Sequence, residues 1–256
     1  MNTQATPATR RIAIVLANPA ISTTTGWPVG FWWSELTHPY RVLREQGYEV
    51  DLFSPQGGRC VGDAMSDPED ASGYSAADAV SREFIHDPQL RGLLDNTGKV
   101  AEIRVDDYDA ILVAGGQSPM FSFEQATDLH DTFVAFHQAG KIAAALCHGS
   151  AILAFAKLPD GRYLAEGRQV TGFANAEEDA ADQATWSYGL LPQGQHVMPW
   201  RIEDRLKGLG ADFVQGEPWG PFAVRDGNLI TGQQNNSGEA TARLIAAALE
   251  EAGGRS

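Results

Sequence analysis

Of the two cysteines in this chain, only Cys147 sits in a sequence that builds a nucleophile. The segment Lys141-Ile-Ala-Ala-Ala-Leu-Cys-His-Gly-Ser150 drives an apolar run straight into Cys147-His148-Gly149, and Ala151-Ile-Leu-Ala-Phe-Ala156 continues with helix formers. Such a run, stopped by Cys-His-Gly, reads as a buried parallel strand turning sharply into a helix. A thiol at that corner lies near unpaired backbone N–H groups and the positive end of a helix dipole. Both favour the thiolate. A lone strand-end cysteine is more often a small core hydrophobe; the adjoining His148, Gly149 and helical run shift the reading to catalysis. Cys60, in the loop-like Gln56-Gly-Gly-Arg-Cys-Val-Gly62, reads as incidental.

A thiolate attacking a carbonyl needs a proton acceptor, a group to orient that acceptor, and donors for the developing oxyanion. His148 adjoins the thiol, and a carboxylate could fix its tautomer. Glu177 and Glu178 follow the next predicted strand; either could serve, or both could simply open a solvated helix. Gly115-Gly116 closes the preceding predicted strand and lets backbone amides approach, although turns use glycine freely. Glu35 lies in Val29-Gly-Phe-Trp-Trp-Ser-Glu-Leu-Thr-His-Pro39, among bulky aromatics. A carboxyl in that company is expected to be desolvated, its pKa raised toward acid–base work. The alternative is a helix-start Glu facing water.

These residues need a scaffold of alternating strands and helices. Strands are expected at Arg11 to Leu16, Tyr48 to Ser54, Tyr108 to Ala114, Ile142 to Leu146 and near Gln169 to Phe173, with a hairpin at Phe222 to Thr231 turning at Asp226-Gly227. Helices are expected over Phe31 to Gln46, with Pro39 kinking it or starting a new turn, over Glu124 to Ala139, and over Thr241 to Glu250 at the close of the chain. This alternation predicts an α/β fold whose mostly parallel sheet is covered on both faces, with chemistry at the carboxyl ends of the strands. Residues 1–9 read as a flexible polar leader. Residues 55–105, rich in Gly, Asp, Ser and Ala, read as an inserted, largely helical subregion that either caps the site or is merely a long loop with short helices.

At 256 residues the chain can form one large domain, 1–256. Its net charge of −14 argues against nucleic acid and anionic membrane as partners. Two cysteines make no disulfide framework, Cys/His spacings of metal sites are missing, and a reducing cytoplasm fits best. Arg10-Arg11 before an apolar stretch faintly imitates an export signal, but the stretch ends at Asn18-Pro19 and reads as a strand. No run reaches transmembrane length.

Taken together, Gly30-Phe-Trp-Trp-Ser-Glu-Leu-Thr-His-Pro39, Gly115-Gly-Gln-Ser118, Ala145-Leu-Cys-His-Gly149, Val170-Thr-Gly-Phe-Ala-Asn-Ala-Glu-Glu178 and Asn228-Leu-Ile-Thr-Gly-Gln233 resemble the ThiJ/PfpI superfamily, the class I glutamine-amidotransferase-like fold. Within it they look most like the branch of heat-shock chaperones and glutathione-independent glyoxalases. The resemblance implies a flavodoxin-like three-layer sandwich with Cys147 as nucleophile at a strand-to-helix elbow. It makes Glu35 the acid beside the thiol, His148 the catalytic histidine and Glu178 its carboxylate partner. Gly116 and the His148 amide then fall at the oxyanion hole, with Gly115 and Gln117 in the same binding loop. Several glyoxalase relatives read Gly-His-Gly where this chain has Gly116-Gln117-Ser118, which alters the pocket wall.

The activity so implied is conversion of methylglyoxal to lactate on a small-molecule carbonyl site, with no cofactor or metal, in a homodimer. Two other readings stay open. The same thiolate could act on an amide or isonitrile, or the chain could be a stress chaperone or redox sensor whose Trp27, Phe31, Trp32 and Trp33 form a client patch rather than pocket and core.

Overall fold

The computed structural model describes residues 9–253. The leader read over residues 1–9 therefore lies, but for Thr9, outside the described residues. A seven-stranded sheet forms the middle layer, made of β1 (Arg11–Val15), β2 (Glu49–Ser54), β3 (Gly98–Lys99), β4 (Ala110–Val113), β5 (Ile142–Leu146), β6 (Ala223–Asp226) and β7 (Leu229–Gly232). Their order is β6-β7-β5-β4-β1-β2-β3. Every neighbouring pair is parallel except the β6–β7 hairpin.

The central strands are apolar without alternation because helices flank the sheet, and a strand buried on both faces has no side to give to water. In register, Ile14 stands between Leu52 and Leu112, and Leu112 beside Ala144. All of β4 and β5 is buried. Truncating a side chain such as Leu112 to alanine there costs about 2–5 kcal/mol.

The flanking helices are α1 (Trp33–Glu45), α2 (Ala79–His86), α3 (Thr127–Gln138), α4 (Asn175–Ser187) and α5 (Gly238–Gly253), with shorter helices between them. Helix α1 lies along α5, which also packs on β5, β6 and β7, while α3 packs on β4 and β5. Pro39 does not end α1. Its missing N–H deprives the Glu35 carbonyl of the usual i+4 donor, and Gly238 opposite leaves room for the proline ring, which a Cβ would meet.

Three expectations need correcting. The strand near Gln169 to Phe173 is only Gln169–Val170, and it pairs with Asp212–Phe213 in a separate two-stranded sheet. The chain leaves strand geometry because the Thr171 amide donates to Thr231 Oγ1 and Gly172 abuts Ser150 and Ile202. The helix expected from Glu124 begins at Thr127, after a 3₁₀ turn over Phe123–Gln125. The closing helix runs longer than its apolar pattern, Gly238–Gly253.

Within residues 55–105 lie α2, a short helix at Pro88–Gly92 and 3₁₀ turns, but also edge strand β3. Phe84, Ile85, Leu94 and Val100 from this stretch enter the core. Among the described residues no helix is long and apolar enough to cross a membrane.

Candidate active site

Cys147 directly follows β5, at the carboxyl edge of the sheet, and its φ is +56°. A side chain other than glycine in the left-handed region costs on the order of 1–3 kcal/mol and persists only where its surroundings fix it. Here they do. A Cβ on Gly149 would run into the Val113 and Ala114 carbonyls, and one on Gly115 would meet the Glu35 carboxyl and the His148 and Gly149 amides. The ends of β4 and β5 thus touch backbone to backbone. The helix expected after Cys147 is instead a 3₁₀ helix over Cys147–Ala154, wholly buried against its neighbours.

Glu35, in the first turn of α1, is fully buried rather than facing water. Its Oε2 accepts from the Gly115 amide at 2.7 Å. Its Oε1 has no hydrogen-bond partner among nitrogen and oxygen atoms, and the side chain its carboxyl interacts with is the Cys147 thiol. Burial pushes the Glu35 pKa up to about 8, against the pull of the thiol and the Gly115 amide. The acid therefore holds its proton through neutral pH.

The thiol departs from expectation. Backbone donation alone favours a thiolate, and the His148 amide does pull that way. Burial and an ionised Glu35 outweigh it and push Cys147 well above the usual thiol range. Cys147 and Glu35 cannot both carry a charge in this dry space.

His148 bridges from the sulfur to a second acid. Its Nδ1 is 3.7 Å from Cys147 Sγ, and its Nε2 is 2.9 Å from Glu178 Oε1. The carboxylate requires the proton on Nε2, which leaves Nδ1 as an acceptor facing sulfur. The imidazole stacks on Phe173 at 4.3 Å between centroids. Of the two glutamates at the start of α4, Glu178 is thus the partner of His148. Glu177 does structural work: its Oε2 accepts from the Ala174 amide, and its Oε1 accepts from the Trp219 amide and Gln233 Nε2. That grip holds Trp219 at φ +62°, edge-on to Phe173.

The loop after β4 is held by Asp63, which sequence reasoning missed. Buried Asp63 accepts from the Gly30 amide at 2.8 Å and the Gln117 amide at 2.7 Å. Burial pushes its pKa up to about 7. In Val61-Gly-Asp-Ala-Met65 nothing distinguishes it from a surface aspartate; only the tertiary contact does. The amides of Gly115 and Gln117 are therefore committed to Glu35 and Asp63, and that of Ser118 to the Gly30 carbonyl. Gly116, at φ +102°, passes so close to Phe31 and Trp32 backbone that a Cβ would collide. The Gln117 side chain lines the cavity, with its Oε1 buried and unpartnered.

Cys147, Glu35, His148 and Glu178 open on one cavity of about 330 Å³. Trp27 and Trp32 line it, whereas Phe31 and Trp33 pack edge-to-face in the core. Among the described residues no group of three His, Cys, Asp or Glu side chains is placed to hold a metal ion.

The sequence pattern of the DJ-1/PfpI family runs over residues 29–248. The chain belongs to the DJ-1/PfpI family. It is 29% identical to "Glyoxalase 3" of Candida albicans over 88% of this chain and 92% of that protein. It is 30% identical to "Glutathione-independent glyoxalase HSP31" of Saccharomyces cerevisiae over 85% of this chain and 88% of the relative. The crystal structure of glyoxalase III from Candida albicans superposes with a TM-score of 0.73 at 26% identity, covering 93% of this chain and 97% of that one. The resemblance read in the sequence and the α/β fold it implied are both borne out.

Proposed function

We propose that this DJ-1/PfpI protein is a glutathione-independent glyoxalase, converting an α-oxoaldehyde such as methylglyoxal to its 2-hydroxy acid. The observation that carries this reading is a cysteine at a strained elbow with a buried, proton-holding acid on one side and a buried His–Glu pair on the other. The relatives named as glyoxalases support it along nearly the whole chain.

In this reading the Cys147 thiol gives its proton to His148 Nδ1 as sulfur adds to the aldehyde carbon. The Gly116 and His148 amides receive the resulting oxyanion. Glu35, protonated at the start, gives its proton to that oxygen and, now a carboxylate, takes the proton of the aldehyde carbon and hands it to the neighbouring ketone carbon through an enediol. The imidazolium's proton goes to the former ketone oxygen, and the proton on the first oxygen returns to Glu35 as the thioester carbonyl forms. The aldehyde carbon is thereby oxidised and the ketone reduced within one molecule. Water cleaves the thioester left on sulfur, releasing the hydroxy acid and restoring the thiol. A pKa near 8 suits Glu35 to both halves of the transfer, and each positioned transfer contributes about 10²–10⁴ in rate.

Residues 63–75 form the capping part of the 55–105 segment in this reading. Met65 and Tyr74 stand in the cavity wall, and Tyr74 packs edge-on to Trp32 at 5.9 Å. The cytoplasm and a homodimer complete the proposal; two free, buried cysteines fit a reducing compartment, and light scattering on the eluted protein tests the dimer.

The deciding experiment incubates purified protein with methylglyoxal in the absence of glutathione and follows chiral lactate. A rate no better than buffer overturns the reading and moves attention to amides and isonitriles, which the Cys147–His148–Glu178 arrangement also suits.

A further inference from the structure

The cavity is built for more than a methyl group. At about 330 Å³ it falls in the range that holds drug-sized ligands, roughly 300–1,000 Å³. The reacting groups Cys147, Glu35, His148 and Glu178 lie in its buried part. From Glu178 a single face of α4 runs outward through Ala181, Ala184 and Thr185 to Tyr188. At 1.5 Å per residue that wall is about 15 Å long. Its helical residues are small, so the space beside them stays open. At the outer end of that face Tyr188 and Leu190 are exposed, and across the cavity Met65 and Tyr74, the latter within electrostatic reach of Cys147, are exposed as well. Large apolar side chains gathered at a mouth mark a binding surface more often than chance exposure does.

Charge narrows the occupant further. Among the described residues lining the cavity none is lysine or arginine, and its carboxyls, Glu35 and Glu178, lie at the reacting end. A substituent carrying a carboxylate or phosphate would enter an apolar channel with no counter-ion.

We infer that the preferred substrate is an α-oxoaldehyde whose ketone carbon bears an uncharged aryl or longer alkyl group, lying along α4 between Cys147 and Tyr188. This rests on the glyoxalase reading above. The carbonyl pair sits at Cys147, and the substituent lies along the α4 wall toward Tyr188. One methylene in a hydrophobic pocket is worth roughly 10–200-fold in discrimination, so even partial filling is measurable.

The test compares methylglyoxal, butylglyoxal, hexylglyoxal and phenylglyoxal on the full-length protein without glutathione, alongside a hexyl-length α-oxoaldehyde ending in a carboxylate. The inference expects kcat/KM to rise at least ~10-fold from methyl to hexyl, carried by KM, and the terminal carboxylate to abolish the gain. An Ala184→Leu variant, narrowing the channel beyond the reacting groups, is expected to cut the hexyl-to-methyl ratio severalfold. A flat series, or equal conversion of the anionic compound, overturns the inference while leaving the glyoxalase reading intact. If none of the α-oxoaldehydes reacts, methylglyoxal included, both fall together.

Discussion

Nε2 of His148 lies 2.9 Å from Oε1 of Glu178, with both side chains shut away from solvent. The neighbouring Glu177, equally buried, holds three other donors and never meets the histidine. Two adjacent acids, alike in sequence, thus separate into one that tunes the site and one that supports it.

Exchanging each for glutamine separates them in experiment. Glu178→Gln keeps the shape but removes the charge that stabilises an imidazolium, and kcat/KM on an α-oxoaldehyde is expected to fall about 10²-fold with little change in Tm. Glu177→Gln puts an amide N–H against buried donors, at about 1–3 kcal/mol for each one stranded. A fall in Tm of at least ~2–4 °C is expected there, the shift that each kcal/mol brings in a chain of this size. Equal losses of activity and stability in both variants would contradict the division.

Glu35 opposes ionisation of the cysteine, and removing its charge has a definite sign. Above pH 8, where wild-type Glu35 is ionised, Glu35→Gln is expected to speed alkylation of Cys147 by iodoacetamide and move the thiol titration to lower pH. A titration at the wild-type pH or higher would show that the two groups are not coupled. The same variant is expected to lose about 10²–10⁴ in turnover.

The raised pKa of Glu35 also reaches folding. The folded protein binds this proton up to about pH 8, whereas an unfolded Glu releases it near its ordinary value of 4.5. Between those values the folded state holds more protons than the unfolded one, so the contribution to stability is full at low pH and is lost as pH rises toward 8. The slope reaches about 1.4 kcal/mol for each pH unit. Denaturant titrations from pH 4 to 9 should show the Glu35→Gln variant gaining on wild type as pH rises. Parallel curves would place the titration elsewhere.

Asp63 holds the Gln117 amide and with it the loop beside Cys147, which in the proposed reaction makes it a positioning residue. Asp63→Asn leaves one oxygen to accept and turns an N–H on the other donor, a mismatch of about 1–3 kcal/mol. Loosening the Gly116-Gln117 loop is expected to lower kcat by about 10-fold or more while KM changes little, because it disturbs the Gly116 amide proposed to receive the oxyanion rather than the apolar channel. If stability falls and kcat holds, Asp63 serves the fold alone.

The sequence by itself determined a great deal here, because local pattern and local chemistry coincide. Short unbroken apolar runs at Ile12 to Val15, Ala110 to Val113 and Ile142 to Leu146, spaced between helical stretches, read as buried parallel strands, and Cys147 at the end of one of them places the thiol at the sheet's carboxyl edge. The aromatic setting of Glu35 was enough to suggest a desolvated acid. Tertiary structure decided what distance in sequence conceals. Asp63 reaches Gln117 from 54 positions away, and the choice between Glu177 and Glu178 turned on which way two neighbouring side chains point once α4 docks. The protonation of Cys147 was decided there as well: helix-end donors are visible in a local motif, but the burial and the Glu35 charge that oppose them arise only when α1 closes over the end of β5.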